Sequence, residues 1–377
     1  MRTVRNTNVA NKKVLYRADY NLPVGKNGEP SDDARVLATI PTLEWLLRHK
    51  PAQIIILTHW GRPKKTDAKW RLAPVARAIA RTLKSKKMVS SERVMTKDFH
   101  GTDSPILSRR YYIGRSITLL ENLRFDKLEE KNSPKLAKLL AQEGDLYIND
   151  AFASSHRAHA SLVAITKVMP SFAGLLLASE VHQLEPLLAK QEKPFIVVIG
   201  GAKIADKIPI INHFRSKADT ILIGGKTSID YYLAMTEPVE KLVFPTDGTD
   251  AKGRIQSFDK ETLKKNPLFD IGPDTIVRFK SILKKAQTVF WNGPLGLVED
   301  KKFFHGSYEI ARFIANLRAT TIVSGGDTVA VIDKLNLRDR FSFVSTGGGA
   351  ASEYLIGKKL PGLVALEENA GLKSKTS

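Results

Sequence analysis

The chain has 377 residues, of which 42% are hydrophobic and none is cysteine, and 59 Lys/Arg against 39 Asp/Glu give it a net charge of +20. Length predicts two or three domains at ~150 residues each, and the missing cysteines exclude disulfides and thiolate chemistry. No run approaches the ~18 apolar residues of a membrane span and MRTVRNTNVA lacks a leader's apolar core, so a cytoplasmic protein without a membrane partner is expected.

In chain order, KVLYRADY (13–20) and QIIILTHWGRP (53–63) read as buried strands ending in polar loops. ARVLATIPTLEWLLRHK (34–50) lies between them with helical periodicity. A helix over RLAPVARAIARTLKSKK, a strand over ITLLENLRF, a helix over SPKLAKLLAQEG and a strand over GDLYINDAF follow. Ser133 is the expected cap of that second helix, with Pro134 at its first position. FAGLLLASEVHQLEPLLAK (172–190) reads as one long connecting helix with a proline at 186. The strands PFIVVIG, ADTILIGG, AQTVFWNG, ATTIVSGG and RFSFVSTGG then restart the pattern. Unbroken apolar runs alternating with helices predict parallel sheets covered on both faces. The expected fold is α/β, two doubly wound (Rossmann-like) domains joined by a hinge helix. The boundaries are 1–172, with a tail from about 362 packing back on it, and 173–361. The final KSKTS is expected to fray.

Charge is unevenly placed. Residues 1–170 hold 31 Lys/Arg against 16 Asp/Glu, a net +15, and the remainder is +5. Nucleic acid, a small polyanionic substrate steered into a basic crevice, or plain solubility would each account for this. The residues after each strand separate them, because ligands of doubly wound sheets bind beyond the strands' carboxyl ends. The first half collects Arg17, Asp19, Asn21, His59, Gly61, Arg62, Arg124, His156, Arg157 and His159 there, and Arg35 opens the first helix. Guanidinium forks match carboxylate and phosphate oxygens two at a time. Four of them converging fit a small acid carrying both groups.

The second half collects glycine instead: Gly200-Gly201 before Lys203 and Lys207, Gly224-Gly225, Gly293 and Gly296, Gly325-Gly326 before Asp327, and Gly347 to Gly349. Glycine lets backbone amides approach an anion unobstructed, and the following helix aims its positive end at the same place. Asp327 is the natural oxygen ligand for Mg²⁺ on nucleotide phosphates. GGKTS at 224–228 is not a P-loop, since Thr220 stands where that motif needs glycine. Neither a G-x-G-x-x-G fingerprint nor a protein-kinase motif set is present.

These motifs together carry a resemblance. RADYNLP, THWGRP, LLENLRF, YINDAFASSHRAHAS, VIGGAKIADKI, VFWNGPLGLVE, SGGDT and VSTGGGAASEYLIGKKLPGLVAL resemble, in order and spacing, the phosphoglycerate kinase family from about residue 13 to 366. The resemblance implies reversible phosphoryl transfer between 1,3-bisphosphoglycerate and Mg-ADP, giving 3-phosphoglycerate and ATP, in glycolysis, by a monomer. It implies that Asp19 and Asn21 hold the glycerate end, and that Arg35, His59, Arg62, Arg124 and Arg157 form the basic patch. Gly201, Lys203, Lys207, Gly225, Asn292, Pro294, Leu295, Gly325, Gly326 and Thr328 would surround the nucleotide, with Gly272 beside adenine and Glu299 at the ribose. Asp327 would hold Mg²⁺. Lys203, Arg35, the metal and the amides near Gly325 and Gly348 would neutralise the transferring group. No general base is expected, because the acceptor carboxylate is already ionised. Ser324 stands where the family's GGGD has glycine, and Lys226 replaces the last glycine of the adenine-side triple, so the shape of the adenine pocket and the nucleotide it takes are left open. A catalytically silent nucleotide-binding relative, or a nucleic-acid binder, is the alternative.

Overall fold

The computed structural model describes residues 1–189 and 191–373. It divides into two units, one of Met1–His182 with the chain from Lys359 on, the other of Gln183–Lys358.

In the first unit the strands are β1 (Lys13–Arg17), β2 (Gln53–Leu57), β3 (Val94–Asp98), β4 (Arg109–Ile113), β5 (Ile117–Leu120), β6 (Leu146–Asn149) and β7 (Ser171–Ala173). They form one sheet in the order β3-β4-β5-β2-β1-β6-β7. The five strands from β5 to β7 are parallel, whereas β3 and β4 add an antiparallel edge that the sequence reading did not anticipate. The exposed pattern of β3 explains this, because VMTKD buries no side chain and shows no apolar alternation to mark a strand. The helices here are α1 (Ala34–Arg48), α2 (Ala73–Ser85), α3 (Lys127–Glu130), α4 (Pro134–Ala141) and the start of α5 (Leu175–Leu188). Successive residues of β1 feed opposite cores. Val14 and Tyr16 pack with Leu43, Leu46 and Ile79, while Leu15 packs with Leu136, Leu140 and Tyr147. That alternation across a doubly covered sheet makes the strand apolar throughout.

Two local expectations are corrected. Residues 171–173 are strand β7 rather than helix, so α5 begins at Leu175, and it runs on past Pro186 to Leu188. Ser133 occupies the cap position of α4, but its side chain accepts no capping bond. The KSKTS stretch lies outside the described residues after Lys373.

The second unit has a six-stranded, all-parallel sheet of β8 (Phe195–Ile199), β9 (Thr220–Ile223), β10 (Leu242–Val243), β14 (Thr288–Asn292), β15 (Thr320–Ser324) and β16 (Phe343–Val344). Its order is β10-β9-β8-β14-β15-β16. A small antiparallel sheet sits beside it, made of β11 (Asp247–Asp250), β12 (Ile255–Ser257) and β13 (Leu268–Ile271). The helices are α6 (Ile204–Arg215), α7 (Gly225–Ala234), α8 (Lys260–Lys265), α9 (Pro273–Leu283), α10 (His305–Ile314), α11 (Gly326–Lys334) and α12 (Gly349–Leu355). The chain then ends in α13 (Pro361–Lys373), whose Gly362 amide bonds the Ser155 carbonyl of the first unit. Among the described residues no helix is long and apolar enough to cross a membrane.

Candidate active site

Parallel strands end on one edge of a sheet, which brings together residues far apart in sequence. In the first unit Arg17, the last residue of β1, stands opposite Leu57 of β2 and Asn149 of β6. Its guanidinium is 1% exposed. Nε donates to Ser161 Oγ (3.1 Å), a second nitrogen lies 3.3 Å from His59 Nδ1, and the third donates to the Ala18 carbonyl. Ser161 in turn is held by Glu129, which accepts from its hydroxyl (2.6 Å) and its amide (3.0 Å). Asp19 binds Arg35 at 2.8 Å through one oxygen and accepts from Ser154 Oγ (2.8 Å) through the other. Asn21 uses Oδ1 to accept the Gly61 amide (2.8 Å), which leaves its amino group for a ligand.

The charges on this edge condition one another. Burial pushes the Asp19 carboxyl up, but Arg35, then His59 and Arg17, hold it below the usual carboxylate range. Burial drives His59 well below its ordinary value, with Arg17, Arg124 and Arg35 adding to the effect against the pull of Asp19. His59 is therefore neutral and joins the patch through hydrogen bonding, with its Nδ1 3.3 Å from Arg17. Arg124 is lowered mainly by burial, and Arg157, Arg62 and Arg17 lower it further. That mutual repulsion joins Arg62, Arg124 and Arg157 to the cluster although they follow different elements. Arg62 is exposed, Arg157 half-buried, and Arg124 meets the exposed Glu130 at 3.5 Å. Like charges gathered without matching acids are costly unless an anion joins them.

In the second unit the glycine-bearing strand ends interlock. Asn292 closes β14 between Ile199 and Ser324 of its neighbours. The Gly201 amide donates to Pro294 O (2.7 Å), Gly225 to Leu295 O (3.0 Å), and Gly293 to Thr328 Oγ1 (2.7 Å). Any side chain at Gly200 would come within 2.0 Å of Pro294 O, so this glycine is required by backbone approach. Gly201, Gly225, Gly293, Gly325 and Gly348 all have positive φ. Gly325 and Gly348 precede α11 and α12 without a capping side chain, which leaves their first-turn amides for an anion. Gly326 and Asp327 are exposed in the first turn of α11. Lys203 occupies the cap position of α6. Lys207 donates to Asn292 Oδ1, and its ammonium is lowered by burial against the opposing charges of Asp206 and Asp327.

Of the expected nucleotide residues, Asn292, Leu295 and Thr328 are fully buried beneath the loops. Gly272 caps α9 because a Cβ would lie 2.3 Å from the Asp247 carboxylate. Glu299 is exposed in the turns after β14. Lys226 is carried on α7 and forms an ion pair with Asp230 one turn later (2.6 Å). Sequence reading missed the Glu129–Ser161 support of Arg17, and it missed Ser154. None belongs to a spacing pattern, and only the fold brings them within reach.

The phosphoglycerate kinase family model matches residues 4–261 and 237–358. A phosphoglycerate kinase of Coprothermobacter proteolyticus is 36% identical over 97% of this chain and 98% of its own length. One of Desulforudis audaxviator is 38% identical over 97% and 99%. Among solved structures, phosphoglycerate kinase from Coxiella burnetii superposes with a TM-score of 0.77 at 31% identity, over 98% of this chain and 99% of that one. The enzyme from Pyrococcus horikoshii OT3 gives 0.81 at 27% identity, over 98% and 100%. With an arginine-lined strand edge in one unit, a glycine-lined one in the other and this similarity end to end, the chain belongs to the phosphoglycerate kinase family.

Proposed function

We propose that Arg35, Lys203 and the amides following Gly325 and Gly348 carry, in this chain, the family's reaction, a reversible phosphoryl transfer between 1,3-bisphosphoglycerate with ADP and 3-phosphoglycerate with ATP. The observation that supports this assignment most is the gathering of Arg17, Arg62, Arg124 and Arg157 on one strand edge, with Arg35 and Arg17 acting on the ionised Asp19. Such a cluster fits 3-phosphoglycerate, whose carboxylate and phosphate each accept a bidentate fork. Asn21 and Asp19 supply donor and acceptor for the glycerate hydroxyl.

On the nucleotide side, the uncapped helix starts offer amides to phosphate oxygens, and Lys203 and Lys207 supply charge. Asp327 fits a cation that arrives with the nucleotide. Among the described residues no group of three or more metal-binding side chains occurs. A single exposed carboxylate suits Mg²⁺, which keeps its waters and takes most of its remaining oxygens from substrate phosphates. Mg²⁺ would neutralise charge on the transferred group, and the chain's own part is to hold and align the reactants. The transition state is loose, so alignment and charge neutralisation do most of the work. No protein base is needed, because the acceptor is a carboxylate. We take the enzyme to act as a monomer in the cytoplasm.

A coupled assay with 3-phosphoglycerate and Mg-ATP tests the reading. Lys203→Ala should lower kcat by roughly 100-fold, the ~3 kcal/mol of one well-aimed donor. Undiminished turnover in that variant removes Lys203 from the mechanism. Wild-type protein inactive with every nucleoside triphosphate removes the assignment as a whole.

A further inference from the structure

Asp270 opens the DIGP stretch that carries Gly272, but the sequence assigns it no role and it takes part in no step of the reaction. It lies in β13, is 5% exposed, and faces the segment that leaves β14 and returns as α10. One carboxylate oxygen accepts the Ile271 amide (2.9 Å) and the other the Gly306 amide (2.8 Å), with the His305 amide also turned toward it. A Cβ at Gly296 would lie 2.2 Å from this carboxylate and 2.3 Å from the Phe303 carbonyl. The segment therefore closes around Asp270, with Gly296 on one side and Gly306 on the other. Further ties hold the same segment. The Leu295 amide donates to Ser307 Oγ (2.8 Å) and the Leu297 amide to the Phe269 carbonyl (2.8 Å). Asp270 is the only carboxylate among these partners.

We propose that Asp270 is a positioning residue for the nucleotide. Its carboxylate pins the 293–306 segment to β13 and to the first turn of α10, and so fixes the outward-facing side of that segment. The Pro294 and Leu295 carbonyls of that segment hold Gly201 and Gly225 in place, and Glu299 stands on its exposed rim. A displaced segment would loosen both glycine loops at once. The physical basis is favourable on one side and costly on the other. A carboxylate at a helix start gains from the amides and the dipole there. Burial opposes its charge and pushes its pKa up to about 7. A neutral side chain would avoid that cost, but it would not accept several amides from two directions. The inference rests on the assignment of this segment to the nucleotide.

The test is the isosteric Asp270→Asn variant, whose amino group faces amides that need acceptors. Its KM for Mg-ATP and its calorimetric Kd for ADP should rise on the order of tenfold, the scale expected when reacting groups are displaced by less than 1 Å. Its KM for 3-phosphoglycerate should not change. Ser307→Ala attacks the same segment through Leu295, and should move the nucleotide constants alone in the same direction. Hydrogen exchange in either variant should speed up across 293–306. Equal shifts in both substrates' constants, or a lower melting temperature with both constants intact, would make Asp270 a purely structural residue and overturn the proposal. Failure of the kinase reading itself looks different, because the wild type would then show no turnover while ADP binding still responded to Asp270→Asn.

Discussion

Arg35 shows how a single side chain combines charge with shape. Its guanidinium is one-third exposed and already paired to Asp19 at 2.8 Å, so it is pre-oriented before any substrate arrives. Arg35→Lys would keep the charge and lose the planar fork. That variant should raise KM for 3-phosphoglycerate about tenfold, ~1.4 kcal/mol, with the nucleotide KM unchanged; steady-state kinetics with each substrate varied would check it. Asp270 makes a separate prediction through pH. Burial raises its folded pKa to about 7, well above the ordinary carboxylate range. A raised pKa means that the folded protein holds the proton more tightly than the unfolded chain. This stabilising contribution is complete below pH ~4 and disappears as pH rises through about 7. The stability of wild type relative to Asp270→Asn should therefore fall between pH ~4 and about 7 and level off above that, as read from chemical denaturation at each pH.

At the scale of elements, the strand ends determine chemistry and the helices determine approach. β8, β9 and β14 each run into glycine because backbones of adjacent loops touch there, as Gly201 with Pro294 and Gly225 with Leu295 show. Lys226 illustrates the opposite case. It occupies a position where the family has glycine, but on α7 it reaches along the helix to Asp230 and remains 61% exposed. An exposed pair at this spacing contributes only ~0.3–0.5 kcal/mol. Lys226→Ala should consequently leave the Mg-ATP KM within about twofold, as a nucleotide titration would show. A strong effect would mean that its ammonium contacts the nucleotide.

For the molecule as a whole, the boundary between the two units falls at His182/Gln183, inside helix α5. We propose that transfer requires closure about this helix, since in-line reaction brings donor and acceptor into contact and excludes water from an acyl phosphate. Small-angle scattering should give a smaller radius of gyration with 3-phosphoglycerate and a nonreactive Mg-nucleotide bound together than with either alone. An unchanged radius counts against closure. Part of the net charge of +20 is gathered at this scale, in the arginines clustered on one strand edge of the first unit.

The sequence alone determined the alternation of strand and helix, the parallel order of the second sheet's strands as candidates, and the two sets of strand-end residues. All of these depend on local periodicity and on residue types that a phosphate-rich ligand demands. The resemblance motifs then gave the family and its reaction. Only the tertiary structure decided which side chains touch the ligand surface and which merely support it. Arg17, Glu129 and Ser161 come from three separate segments, and their contact exists only once β1 lies beside the later chain. The neutral state of His59 likewise arises from burial among arginines distant in sequence. The antiparallel pairing of the edge strands β3 and β4, and the enclosure of Asp270 at the end of β13, were not legible, because pairing partners and enclosure are properties of chain segments brought together by folding.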